Sequence, residues 1–300
     1  MIDAPKYTTQ LQAGLGLVSE TLRLLAVWQP GMAGQDLLKA ALVSGHFPNM
    51  TARRLRNLII EAFCPRYLVD GAGPARLLKA VSGNLPKEDF RSLCFLFTCR
   101  ANPILGDFVR QVYWRRYAAG GTSISKENSL RFVSSAVSDG RTTNRWSEAT
   151  VTRVARYLLG ACADFSLLGA MKCGARPIST FRVTPNVASI LAHDLHFRGL
   201  GDNALLRSPD WGLFGLERDD AVGELKRLSL RGELIVQSAG GITKISWKHK
   251  SISQPISGEK PSSALLMARR KPTSPEVMPS ILLPLGGCKR EPTCRTTQRQ

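Results

Sequence analysis

Three hundred residues with a hydrophobic fraction of 43% can bury a core, as about two domains or one elongated helical body. Lysine and arginine outnumber aspartate and glutamate 41 to 23, and the first 250 residues keep 33 against 20, so the basic surplus is not a tail effect. Such a balance suits a polyanion, either nucleic acid or an anionic membrane surface. A membrane-spanning reading fails, because Leu11 to Trp28 is interrupted by Ser19, Glu20, Thr21 and Arg23, and the other apolar runs are far too short. Met1 to Tyr7 has no signal-peptide layout. Seven scattered cysteines fit free thiols in a reducing cytoplasm, not a disulfide framework.

In chain order, Thr8 to Val27 reads as a helix despite Gly14 and Gly16, with Leu17, Leu24 and Leu25 on its apolar side. Gln35 to Ser44 is a second helix, with Leu37, Leu38, Ala41 and Leu42 inward. A third begins after Thr51, a suitable N-cap. Its stripe of Leu55, Leu58, Ile59, Ala62 and Phe63 has helical spacing, and Arg53, Arg54, Arg56 and Asn57 crowd the other side. Helix, short turn and Arg-rich helix is a helix-turn-helix layout. The bland alternative is a bundle helix with solvated arginines. Pro74 to Ser82, Lys87 to Cys99 and Ile104 to Tyr117 follow as core helices. Leu93, Leu96 and Phe97 share one face of the second of these, and Phe108, Val112 and Tyr113 one face of the third. Arg115 and Arg116 are candidates to join a basic surface.

Gly120 to Ser123 is a linker-like break. Ser125 to Ser138 is a helix with Leu130, Val133 and Val137 apolar, and a polar loop carries Arg141 and Arg145. Trp146-Ser147 opens the most regular helix of the chain, with Ser147 as its cap. Val151, Val154, Ala155, Leu158, Leu159 and Cys162 form its stripe, and Thr152, Arg153 and Arg156 lie off it. Ile178 to Val183 reads as a short strand. This gives a first winged-helix-like module.

Thr184-Pro185 starts the next helix, which runs to about Phe197 with Val187, Ile190, Leu191 and Leu195 inward. Asp202 to Arg207 is a short turn or helix. Asp219 or Asp220 can cap a helix carrying Val222, Leu225 and Leu228, and Gly232 stops it. Glu233 to Ser238 and Ile242 to Trp247 are β-prone, with Gly240-Gly241 placed for a tight hairpin. On the second run Thr243, Ile245 and Trp247 share one face, and Lys244, Ser246 and Lys248 the other. Arg218, Lys226, Arg227 and Arg231 lie on or beside the helix, and Lys244, Lys248 and Lys250 on or after the hairpin. A helix followed by a basic hairpin is the layout of a winged helix, a module that grips duplex DNA. From Ser251 the chain is rich in proline and serine without sustained periodicity, as a disordered tail would be.

No catalytic constellation is evident. His193 and His196 have metal-ligand spacing but no third ligand nearby. Cys94 and Cys99 do not share a helix face, and no paired C-x-x-C exists. Gly14 and Gly16 lack the third glycine and the preceding strand of a dinucleotide loop. No cofactor is therefore expected.

Several stretches resemble the BrxA family of the BREX bacteriophage-exclusion systems. The most specific are Leu195 to Asp202, Asp210 to Leu216, Leu225 with Leu228, Ser229 and Gly232, Gln237 to Gly240, and Ile245 to Trp247. Fainter matches lie at Gly14 to Glu20, Thr51 to Arg54, Asp107 to Val109 and Trp146 to Thr150. The resemblance spans about Leu11 to Lys250. It implies a small, mainly helical, non-enzymatic protein that binds double-stranded DNA beside the other members of a defence system.

The expected fold is mainly α, a helical bundle with winged-helix-like modules and a short C-terminal β-hairpin wing. Its parts are an N-terminal helical domain with a helix-turn-helix-like segment (1–120), a central module (121–184), a C-terminal winged helix (185–250) and a tail (251–300). The expected activity is phosphate-backbone contact with double-stranded DNA through Arg53, Arg54, Arg56, Arg141, Arg145, Arg153, Arg156, Lys226, Arg227, Lys244 and Lys248. A scaffold that docks other BREX components is the second class, since the fold serves both uses.

Overall fold

One helix, α6 (Lys87–Ala101), is buried nearly all round, with each residue from Leu93 to Cys99 at most 4% exposed. A helix whose second half has no polar face must lie inside the molecule, and other described elements pack around it. Phe95 meets the rings of Phe165, Phe181 and Phe214 at 5.4, 5.9 and 6.0 Å, joining three segments that are distant in sequence. The computed structural model describes residues 6–239 and 242–248. The expected Gly240-Gly241 turn, Lys250 and the tail lie outside the described residues.

The protein is mostly helical. A 3-10 turn (Gln10–Ala13) leads to α1 (Val18–Val27) and α2 (Gly34–Val43). The single helix expected over Thr8 to Val27 is broken between these elements. Gly16 donates its N–H to Asp164 Oδ2 at 2.9 Å, and Leu17 takes a left-handed conformation (φ 49°). The carbonyls of Gly14 and Leu15 receive the buried guanidinium of Arg66. Leu42, expected inward, is 51% exposed, because the buried stripe of α2 is only Leu37 and Ala41.

Helix α3 (Ala52–Asn57) continues through a π turn (Leu58–Phe63) into α4 (Cys64–Tyr67). Pro65 sits just beyond that turn and has no N–H to donate backward. Thr51 caps α3 as expected, accepting from Arg54 N, and all five apolar stripe residues are buried. Next come α5 (Gly73–Val81), α6 and α7 (Pro103–Phe108). A second π turn (Val109–Tyr113) joins α7 to α8 (Trp114–Ala118).

Strand β1 (Ser123–Ser125) precedes α9 (Lys126–Ser138), and β2 (Ala175–Pro177) follows α10 (Glu148–Asp164). The strands pair antiparallel, Ser123 with Pro177, and close a unit in which α9 packs along α10. The strand expected over Ile178 to Val183 therefore lies earlier in the chain. Ile178 retains only an isolated bridge to Leu168. Its partner β1 begins at Ser123, the last residue of the stretch that reads as a linker.

Helix α11 (Pro185–Phe197) starts at the Thr184 cap, and Val187, Ile190, Leu191 and Leu195 are buried. Then come α12 (Asp202–Leu206), a 3-10 turn (Trp211–Phe214) and α13 (Arg218–Leu230). The cap of α13 is Glu217, not Asp219 or Asp220. Asp220 sits at the third helical position and accepts from Glu217 N at 3.0 Å, completing a capping box. Strands β3 (Leu234–Ala239) and β4 (Ile242–Trp247) pair antiparallel, Leu234 with Trp247, in the expected alternation. Thr243 and Ile245 are buried, Trp247 is half-buried, and Lys244, Ser246 and Lys248 are exposed.

The C-terminal elements are pinned to the helical body by polar and aromatic contacts. Arg100, near the end of α6, bridges Asp194 (2.6 Å) and Asp210 (2.8 Å). Asp89 accepts from Thr184 and Asn186, both at 2.8 Å. Trp114 donates Nε1–H to the Leu213 carbonyl at 3.0 Å, and its indole lies against Gly215. Gly215 has φ 72°, and a side chain there would collide with that ring.

Candidate nucleic-acid interface

Charge is distributed unevenly. Residues 110–184 contain twelve Lys and Arg against four Asp and Glu, whereas residues 185–248 contain eight of each. The surplus expected to attract a polyanion therefore sits on the central helices and not on the C-terminal hairpin unit.

The basic residues expected to make contact fall into three groups. Arg53, Arg54 and Arg56 are exposed on α3, opposite its buried stripe, and Arg54 borders a cleft shared with Glu20, Glu61 and Asp164. Arg145, Arg153 and Arg156 are exposed on α10 and the loop before it, with no side-chain ion pair among the described residues. In the C-terminal unit Lys226, Lys244 and Lys248 are exposed. Arg227 is paired with Glu224, Arg218 with Asp219 (3.1 Å) and Arg231 with Glu233 (3.7 Å). A cation already paired locally contributes less to the field seen by a ligand.

Arg141 has a different environment. Its guanidinium donates to Tyr7 Oη at 3.1 Å, pairs with Asp139 at 3.3 Å, and lies over the rings of Tyr7 and Phe132. Tyr7 in turn donates to Asp107 at 2.6 Å, and Asp107 holds Arg110 at 2.8 Å. Burial and the Asp107 carboxylate both push the Tyr7 phenol above its ordinary range, so it stays a donor. Arg141 thus ties the N-terminal segment to the loop before α10 while keeping about a third of its side chain exposed.

The exposed part of Arg141 closes one side of an open groove of about 420 Å³ between α8 and α9. One wall comes from the helix face of Gln111, Val112, Arg115, Arg116 and Ala119. The other comes from Asn128, Arg131, Phe132 and Ser135 on α9. No carboxylate lines it. The apolar stripe of α9 gives no hint of Arg131. The available signal was polar spacing: Asn128, Arg131 and Ser135 recur at i, i+3 and i+7.

The histidine pair packs on the hairpin. His196 stacks on Trp247 at 4.3 Å and His193 meets the same ring edge-on at 4.9 Å. Among the described residues no group of three or more His, Cys, Asp or Glu is placed to hold a metal ion. Burial pushes the thiols of Cys94 and Cys162 up to about 12, which keeps them protonated. Among the described residues no helix is long and apolar enough to cross a membrane.

No curated protein matches this sequence. A crystal structure of an uncharacterized protein from Magnetospirillum magneticum is 13% identical and has a TM-score of 0.52. The similarity covers 64% of this chain and 95% of that one, and it bears on the fold alone. The BrxA family model matches residues 5–194. That span holds the fainter stretches of resemblance, at Gly14, Thr51, Asp107 and Trp146, and ends just before the run at Leu195. With more than half of its length matched, the chain belongs to the BrxA family of the BREX phage-defence systems.

Proposed function

We propose that this BREX component binds double-stranded DNA without catalysis, through the phosphate backbone and largely independently of sequence. The observation that supports it best is the surplus of eight positive charges over residues 110–184, displayed on exposed arginines of α8, α9 and α10. Duplex DNA is the densest anionic partner available to such a surface, and releasing its condensed counterions drives the association. The helix α13 with its β3–β4 hairpin is read as a winged helix whose Lys244 and Lys248 add a flanking contact. Mobility shifts with duplex DNA, duplex RNA and single strands, repeated over a salt series, test the reading. If about five phosphates are neutralised, log K falls against log salt with a slope near −4 to −5. Absence of binding at low salt, or a flat response, overturns it.

A second reading draws on the C-terminal unit. Leu230 is 89% exposed and Ile235 59% exposed, at the corner where α13 turns into β3. An apolar corner on a unit with no net charge suits docking of another BREX protein, as a scaffold would require. Substituting both residues by Ser then abolishes co-purification with that protein while leaving DNA affinity unchanged.

A further inference from the structure

We propose that the groove between α8 and α9 is the principal phosphate-binding site, seating one sugar-phosphate strand of duplex DNA against Arg115, Arg116 and Arg131. The proposal rests on the DNA-binding reading above and assigns it a place. Three observations carry it.

The first is availability. Arg115 and Arg131 are exposed and make no ion pair or side-chain hydrogen bond among the described residues. On and just after α13, Arg218, Arg227 and Arg231 are matched by Asp219, Glu224 and Glu233, which leaves Lys226 as the exposed cation there without an ion pair among the described residues.

The second is preorganisation. Arg116 donates Nε–H to the Ser123 carbonyl at 3.3 Å, and its stem packs on Gly121, where an added Cβ would lie 2.7 Å away. Arg141 is held by Tyr7, Asp139 and two aromatic rings. Two of the four guanidiniums are therefore fixed before any ligand arrives, which lowers the ordering cost of binding. Arg141 is a positioning residue here, and its partner Asp139 stands at the edge of the groove and outside its lining.

The third is chemistry. All four cations are arginines, whose planar forks donate two parallel hydrogen bonds to a phosphate, which a lysine ammonium cannot do. The Asn128 carbonyl oxygen is occupied by Ser125, which leaves its amide N–H groups as donors. The helix carrying Arg115 and Arg116 also passes through the π turn at Val109–Tyr113, a rare feature that recurs beside functional sites.

The test uses the full chain and three variants against a duplex of about 20 base pairs over a salt series, with thermal midpoints recorded. Arg115→Ala with Arg131→Ala should melt like the parent, because neither side chain has a partner to lose. Its salt slope should shrink by about 2, and its affinity near 0.1 M salt should fall about ten- to a hundredfold, as expected for two fewer released counterions. Arg115→Lys with Arg131→Lys should retain the slope and lose part of the affinity if the forks act bidentately. Lys244→Glu with Lys248→Glu, on the hairpin, should weaken binding less than the alanine pair. Three outcomes overturn the assignment: an alanine pair with the parent's slope, a larger loss from the hairpin pair, or displacement of the duplex by polyglutamate as readily as by competitor DNA. Each of these leaves the DNA-binding reading standing. A parent chain that binds no duplex at low salt removes that reading and the groove with it.

Discussion

The central helices and the C-terminal hairpin unit look equally basic when cations are picked out along the sequence, yet they differ in what they offer a ligand. Around α13, acids occupy the neighbouring helical positions, so Arg218, Arg227 and Arg231 each meet a carboxylate. Around α8, α9 and α10 the acids are few, and Arg115, Arg131, Arg145, Arg153 and Arg156 are exposed without an ion pair among the described residues. Proximity to a hairpin thus does not by itself leave a cation unpaired. Local neutralisation decides whether a cation remains available to a polyanion.

The sharpest way to break the comparison is to cut the joint between the two regions. Arg100→Ala leaves Asp194 and Asp210 facing each other in a largely buried site. Removing one partner of such a buried ionic cluster costs about 3–5 kcal/mol. For a body of this size the thermal midpoint should fall by roughly 6–15 °C. A shift below about 2 °C would mean that the two regions do not depend on this clamp. Replacement of Arg100 by Lys should recover only part of the loss, since one ammonium cannot reproduce the two-sided fork.

Within the hairpin unit, Trp247→Ala should cost about 2–3 kcal/mol. That is less than a fully buried tryptophan loses, because this ring is only half-buried and its main contacts are the two histidine rings. Thermal melts and protection of β4 amides from exchange check it. Intact protection of β4 in the variant would show that the hairpin is held instead by Ile245, whose N–H donates to Asp202.

Helix positions and most buried faces were legible in the sequence because they rest on local rules. Thr51, Ser147 and Thr184 act as caps, and the 3.6-residue stripes of α3, α10 and α11 are buried as spaced, apart from the half-buried Val151. What stayed illegible depends on partners far along the chain. The break at Gly14 to Leu17 is set by Asp164 and Arg66, and β1 exists only because β2 returns to it. The centrality of α6 was half visible. Its unbroken run of apolar residues was present, but a reading that seeks one apolar face assigns the remainder to solvent. The groove was hidden for a related reason: its walls come from α8 and α9, and Arg131 gains meaning only beside Arg115.

A milder perturbation separates the two basic surfaces by function. Arg153→Ala with Arg156→Ala should leave the thermal midpoint within about 1 °C, since exposed charges add little to folding. The salt slope for duplex DNA should fall by up to about 2 if α10 contacts phosphates directly. If the slope holds, α10 contributes only to the general field and the contacts lie elsewhere on the central helices.

A last test concerns pH and again distinguishes the regions. Cys94, Cys99 and Cys162 are buried on α6 and α10, whereas residues 185–248 contain no cysteine. Burial raises all three thiols above their ordinary value, Cys94 and Cys162 to about 12. A thiol raised in the folded state binds its proton more tightly than in the unfolded chain. Its contribution is therefore fully present below the ordinary value near 9 and is lost as pH climbs from there towards 12. Stability should decline over that window, and Cys162→Ala should flatten the decline. The exposed Cys173 should alkylate readily at pH 8, and the three buried thiols should stay unmodified until the core opens. Alkylation of Cys94 or Cys162 at the rate of Cys173 in the folded protein would contradict the burial of these thiols.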